Sequence, residues 1–297
     1  MGTGLIGLGN MGASIAGLLL DAGISLVVHD VRREPAILLQ ERGAVWAESP
    51  AHLAEVCEVV LTCLPGPPEV DAVVMGHGGV LEKLQPNAVY IDLTTNSPEL
   101  VRKVGEAVKK RRAYMLDAPL DGGKEGAEAG DLTLFVGGDE AVLERARPVL
   151  KPFSKSVVWV GELGAGSVTK IVHNALAMSI DLLLTECLTL GVKAGVELPR
   201  LIEAIRQGSS MSGNMSLNKR LPATLFRGEF SPRFALKLAH KDYKLAAELA
   251  ERYQVPTRLI DICLGEVSEA INRGWGDKDR TIASTLQEER AKVKLRV

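Results

Sequence analysis

Short apolar runs recur through the first half of the chain, and segments with helical spacing lie between them. TGLIGL, SLVVH, EVVLTCL, AVYIDL, AYMLDA, LTLFVG and SVVWVG are nearly continuous in apolar, β-favouring residues. This is the pattern of strands buried on both faces. Intervening segments such as ASIAGLLLDAG and PELVRKVGEAVKKRRA place apolar residues at i, i+3 and i+4, the stripe of a helix packed on a sheet. Strand and helix in alternation predict a parallel, doubly wound sheet.

After Gly161 the strand pattern stops. One long helix is expected from about Gly166 to Gly195, with no formal charge between Lys170 and Asp181. A helix so apolar on every side belongs under cover, between domains or against another subunit. LPRLIEAIRQ, FALKLAHKDYKLAAELAERY and RLIDICLGEVSEAINRG read as further helices. The expectation is an α/β domain over residues 1–161 and an all-α domain over residues 162–297.

Composition narrows the class. With 297 residues, 46% hydrophobic and 24% charged, the chain has core enough for two domains. Thirty-five bases against thirty-seven acids leave a net charge of −2, which argues against nucleic acid or an anionic membrane as partner. The uncharged start, MGTGLIGLGNMGASIAGLLL, lacks the basic region and cleavage site of a signal peptide, and its glycines argue against a membrane span. It reads as strand, turn and helix, in a cytoplasmic protein. Cys57, Cys63, Cys187 and Cys263 stand singly, outside any CxxC or metal-ligand spacing. They read as reduced core thiols, and no metal site is expected. Of the four, Cys63 alone lies in a segment expected near a ligand.

The first chemical signal is Gly7-Leu8-Gly9-Asn10-Met11-Gly12, which follows the first strand and opens the first helix. The first glycine makes the turn, the second admits a pyrophosphate to the backbone, and the third lets helix pack on strand. The phosphates would sit at the helix N-terminus. The second strand ends at Asp30, eighteen residues past Gly12, where an acid accepts hydrogen bonds from the ribose hydroxyls. Together these predict a Rossmann-type dinucleotide site. The carboxylate favours NAD by repelling the extra phosphate of NADP. Arg32 and Arg33 could tolerate that phosphate or could simply be solvated at a helix start.

The second signal is GSVTKIVHN, at the start of the long helix. Lys170 and Asn174 are four apart and share a helix face. An ammonium among small and apolar neighbours is desolvated, which suits it to proton transfer; alternatively it snorkels outward. His173 faces elsewhere. The third signal is the glycine-rich stretch DAPLDGGKEGAEAG, Asp117 to Gly130.

These motifs resemble, in order and spacing, the β-hydroxyacid dehydrogenase family, the group of 3-hydroxyisobutyrate dehydrogenase, tartronate semialdehyde reductase and sulfolactaldehyde reductase. The match runs nearly end to end through GLGNMG, Leu64-Pro65, DLTTNSP (Asp92–Pro98), DAPLDGG, the GxxxKxxxN of Gly166, Lys170 and Asn174, and AHKDYKLA around Lys241. The resemblance implies an NAD(P)-dependent enzyme acting on a small 3-hydroxy acid or its semialdehyde. In it Lys170 is the general acid–base and Asn174 positions substrate and lysine. Leu64, Pro65 and Thr95 line the cofactor cleft, Lys241 reaches the cofactor, and Asp121, Gly122 and Gly123 face the acid group of the substrate. A homo-oligomer, dimer or tetramer, is expected from the apolar helix.

One position departs from that pattern. Where the family reads Ser-Gly-Gly, this chain has Asp121. A carboxylate beside a substrate carboxylate costs roughly 1 to 4 kcal/mol. Asp121 therefore either turns outward, leaving Gly122, Gly123 and Lys124 to hold the anion, or faces a substrate bearing an amino or polyhydroxy group. A third possibility is that it caps the helix through Glu125 to Ala129. The other classes to weigh are an imine reductase, which usually lacks the lysine, a 6-phosphogluconate-type enzyme, for which the chain is short, and a non-catalytic cofactor-binding module.

Overall fold

All seven apolar runs form strands in the computed structural model, which describes residues 2–208 and 213–297. They are β1 (Thr3–Ile6), β2 (Leu26–His29), β4 (Val59–Thr62), β5 (Val89–Asp92), β6 (Tyr114–Asp117), β8 (Leu132–Gly137) and β9 (Ser154–Gly161). Two strands of two residues join them, β3 (Val45–Trp46) and β7 (Leu120–Asp121). The sheet runs β3-β2-β1-β4-β5-β6-β8, with β7 and β9 also on β8. The strand order reverses between β1 and β4, and ligands of such sheets bind outside the carboxyl ends at that point.

Alternate residues of each strand serve opposite faces. Leu5, Leu61, Ile91 and Leu116 enter one buried cluster, while Ile6, Val60, Tyr90 and Met115 enter the other. With both faces covered, the strands need apolar residues at every position, which is why they read as unbroken runs.

The sheet is parallel as expected except at its far side. β8 pairs antiparallel with β6 and β7. Residues 122–131 between β7 and β8 hold a short helix, Gly123–Ala129, and a parallel crossover needs a dozen residues or more. The chain must therefore turn back. β6 and β7 both run along β8, broken at Ala118-Pro119, where proline has no N–H for the ladder.

The protein divides into two compact units, Met1–Lys170 and Ile171–Val297. The second is helical, with helices Leu198–Gln207, Leu236–Arg252 and Arg258–Asn272 where the spacing places them. One of its cores joins Met178, Leu236, Tyr243, Val267, Ile282 and Leu286. The long helix spans Ala165–Lys193 and is long and apolar enough to cross a membrane by length and composition alone. Several of its polar residues, however, face inward, while Glu186 and Lys193 are exposed. Asp181, Thr185 and Thr189 are buried, and Asp181 pairs with Arg220 and Arg280, each at 3.0 Å. The exposed side carries Val172, Leu176, Leu183 and Leu190.

Candidate active site

The glycine loop after β1 is built by backbone crowding. Gly7 has φ +95°, and a Cβ there would stand 2.4 Å from the Cys63 carbonyl oxygen. A Cβ on Gly12 would meet the Gly7 oxygen at 1.9 Å. Gly9 differs: a Cβ there would find nothing within 4 Å, so its side is open space. Gly9 is the N-cap of helix Asn10–Asp21, and no side chain caps that helix. Asn10 and Met11 form its first turn. An open backbone cradle at a helix start fits a pyrophosphate.

Asp30 follows β2 and reaches back to this loop. One oxygen accepts from Leu8 N–H at 2.7 Å and the other from Arg32 N–H at 2.9 Å. Arg33 is drawn aside, its guanidinium 5.5 Å from the Trp46 ring centroid and 3.9 Å from Glu48.

The loops after β4 and β5 are latched together. Leu64 N–H donates to Thr94 Oγ1 at 3.1 Å. The fully buried Asp92 accepts from Thr94 N–H, Thr62 Oγ1 and Asn96 Nδ2. Burial raises the Asp92 carboxyl above its ordinary pKa, and the hydrogen bonds offset part of that rise. Thr95 is half-buried beside this knot, and Pro65 is exposed. Cys63 is pushed up to about 12 by burial and by Asp92, which leaves a neutral thiol and no reactive nucleophile.

Asp117, at the end of β6, sets the start of the long helix. It is fully buried and accepts from Gly164 N–H at 2.8 Å and Ser167 N–H at 2.7 Å. These are donors that a helix start leaves unpaired. Lys170 lies one turn further on. Its Nζ donates to Asp121 Oδ1 at 2.9 Å, with 8% of the lysine side chain exposed against 36% for the aspartate.

Lys170 therefore does not snorkel, and Asp121 does not turn away. The capping alternative is also corrected. The N-cap of helix Gly123–Ala129 is Gly122 at φ +126°, a conformation that favours glycine, while the Asp121 carboxylate is aimed at the lysine. Gly123, at φ +63°, is exposed. Lys124 lies 3.5 Å from Glu128.

In the second unit, Asn174 Nδ2 donates to Asp242 Oδ2 at 2.7 Å. Lys241 Nζ stands 2.9 Å from the other Asp242 oxygen, an ion pair without hydrogen-bond alignment. Asp242 is 1% exposed. Sequence reasoning found both of its partners and missed the acid that joins them. Its signal was an aspartate on a helical stripe with Ala239, Tyr243 and Ala246, an expensive place for an unpaired charge. His173 packs beside Asn174, with Nδ1 3.3 Å from its oxygen. A cavity of about 360 Å³ lined by Glu58, Val59, Ala88, Val89 and Arg145 opens at the amino ends of β4 and β5, away from the glycine loop.

A doubly wound sheet with a glycine loop at its switch point and an acid after β2 defines an NAD(P)-dependent oxidoreductase. Residues 2–161 match the NAD-binding domain of 6-phosphogluconate dehydrogenase. Residues 164–286 match the NAD-binding domain of NADP-dependent 3-hydroxyisobutyrate dehydrogenase. The chain is 36% identical to 3-hydroxyisobutyrate dehydrogenase of Pseudomonas aeruginosa over 260 residues, 86% of this chain and 87% of that one. It is 35% identical to 2-(hydroxymethyl)glutarate dehydrogenase of Eubacterium barkeri over 253 residues, 85% and 83% of the two chains. The structure of Mycobacterium tuberculosis 3-hydroxyisobutyrate dehydrogenase with L-serine superposes at a TM-score of 0.86, with 26% identity and 96% and 98% coverage. The chain belongs to the β-hydroxyacid dehydrogenase family and is an NAD(P)-dependent dehydrogenase acting on CH–OH.

Proposed function

We propose that the protein interconverts a small 3-hydroxy acid and its semialdehyde, or an amino or polyhydroxy alcohol and its carbonyl form, with Lys170 as the general acid–base. The observation that carries this reading is a buried ammonium held in place at the start of a helix whose cap, Asp117, is itself buried. NAD(P), when bound, supplies the hydride acceptor or donor. Gly7, Leu8, Gly9, Asn10, Met11 and Gly12 would cradle its pyrophosphate. Asp30 would receive a ribose hydroxyl, and the sideways placement of Arg33 supports NAD over NADP. Leu64, Pro65 and Thr95 would line the cofactor, with Lys241 reaching it.

In oxidation the carbinol carbon gives up a hydride and its oxygen a proton, which neutral Lys170 Nζ takes. In reduction Lys170 returns that proton to the carbonyl oxygen. Asn174, its amide oriented by Asp242, would hold the substrate oxygen. Asp121, Gly122 and Gly123 would face the rest of the substrate.

Replacing Lys170 by Ala should lower turnover by about 10² to 10⁴, the usual worth of general acid–base catalysis, while NAD binding persists. Near-normal turnover in that variant would assign the proton to another group. The exposed Val172, Leu176, Leu183 and Leu190 support a second copy of the chain against the long helix, in a cytoplasmic homo-oligomer. Sizing at micromolar concentration should give a dimer or tetramer; a monomer would end that reading.

A further inference from the structure

The loop after β7 carries a carboxylate held beside Lys170. Asp121 Oδ1 is 2.9 Å from Lys170 Nζ, so the two form a pair with no net charge. A substrate anion arriving at this loop would meet an ammonium already neutralised and a carboxylate beside it. In a partly desolvated site that arrangement disfavours a second carboxylate. The next cation along the chain, Lys124, is half exposed and directed toward Glu128. The side chain that the loop itself offers is thus a hydrogen-bond acceptor, a third exposed, between a buried lysine and two glycines at positive φ.

An acceptor is matched by a donor. We propose that Asp121 is a specificity-determining residue that selects alcohols bearing a hydroxyl or an ammonium where the plain 3-hydroxy acids bear a carboxylate. This inference rests on the placement of the reaction at Lys170 and narrows the substrate class of that site. The chemistry is unchanged: Lys170 first gives its extra proton to solvent, then the carbinol C–H leaves as hydride to NAD⁺ and the O–H proton goes to the neutral amine. The group at the far end of the substrate is what Asp121 reads.

A three-carbon series isolates that group: 3-hydroxypropanoate, propane-1,3-diol and 3-aminopropan-1-ol share the reacting alcohol and differ beyond it. With the wild-type enzyme, the diol or the amino alcohol should exceed the carboxylate at least tenfold in kcat/KM. The better of the two identifies the donor as hydroxyl or ammonium. Asp121→Ser should reverse the order in favour of the carboxylate. Asp121→Asn keeps the size but removes the charge, and should lower the amino alcohol more than the diol.

Titrating the same three compounds onto the enzyme with bound NADH reads the order without turnover, and melting curves confirm that the variants are folded. A wild type that prefers 3-hydroxypropanoate in either measurement, or an order unmoved by Asp121→Ser in a folded variant, overturns the inference. Failure of the lysine assignment reads differently, as retained turnover in Lys170→Ala whatever the order of the three.

Discussion

Two glycine loops end strands of the same sheet and use the same residue for different reasons. In the loop after β1, another backbone lies within 1.9 to 2.4 Å of where a Cβ on Gly7 or Gly12 would stand, and Gly7 is also at φ +95°. In the loop after β7, Gly122 and Gly123 are required by φ values of +126° and +63°. Each loop also has an acid. Asp30 accepts from backbone N–H groups, so it strengthens the loop that would cradle an anion. Asp121 accepts from a lysine, so it removes net charge from the loop that would meet the substrate. The first loop keeps the glycine spacing expected of a dinucleotide site, and the second carries an acid where the resemblance implied a serine. A fold holds its cofactor end constant through backbone geometry and varies its substrate end through single side chains.

The comparison breaks first at Gly9, the glycine that no crowding explains. Its φ of −66° and ψ of −169° suit any residue, and a Cβ there has nothing within 4 Å. Gly9→Val should therefore fold with a melting temperature close to wild type. It should lose on the order of 100-fold in NADH affinity, because the side chain fills the pyrophosphate position. Fluorescence titration with NADH checks this; unchanged affinity would place the phosphates elsewhere.

A second variant tests the acid of the first loop. Asp30→Ala should weaken NAD by roughly tenfold and NADP by less, since it removes a ribose acceptor and a charge that repels phosphate. Equal losses for the two cofactors, or a native preference for NADP, would reassign Asp30 to the support of Leu8 alone.

The smallest effect concerns the buried acid under the β4 and β5 loops. The pKa of Asp92 is raised on folding by desolvation, so the folded state binds its proton more tightly than the unfolded chain does. Its contribution to stability is full below the ordinary value of 3.8 and is lost as pH rises through the raised folded value. Relative to Asp92→Asn, the wild type should gain stability as pH falls from 7.5 toward 4. Urea midpoints of both proteins at several pH values read the difference. Parallel curves would mean that the hydrogen bonds from Thr62, Thr94 and Asn96 cancel the desolvation.

The strands were legible because burial on both faces demands unbroken apolar runs, and the long helix because its uncharged run is far too long for a strand. β3 and β7 were not, since two residues such as Val45-Trp46 or Leu120-Asp121 carry no periodicity. The reversal of β8 was concealed for a related reason, since LTLFVG reads the same in either direction and the decisive quantity is the short span 122–131. At the site, Lys170, Asn174 and Lys241 stood out as charged or amide groups in motifs. Asp117 and Asp242 did not. Their hydrogen-bond donors lie 47, 50 and 68 residues away, and a buried acid is recognisable only by what it holds. Asp121 was legible as a departure, while its meaning required the position of the lysine.

The double grip of Asp30 has a consequence for anyone redesigning this enzyme. One carboxylate shapes the glycine loop through Leu8 and is also the acid proposed above to receive a ribose hydroxyl. Cofactor preference and loop rigidity are therefore tied to a single side chain, and removing that side chain alters both. A swap toward NADP that merely deletes the acid would slacken the phosphate cradle it was meant to serve. Asparagine at position 30 retains an oxygen for the Leu8 N–H while shedding the charge, so it is the replacement that separates the two duties.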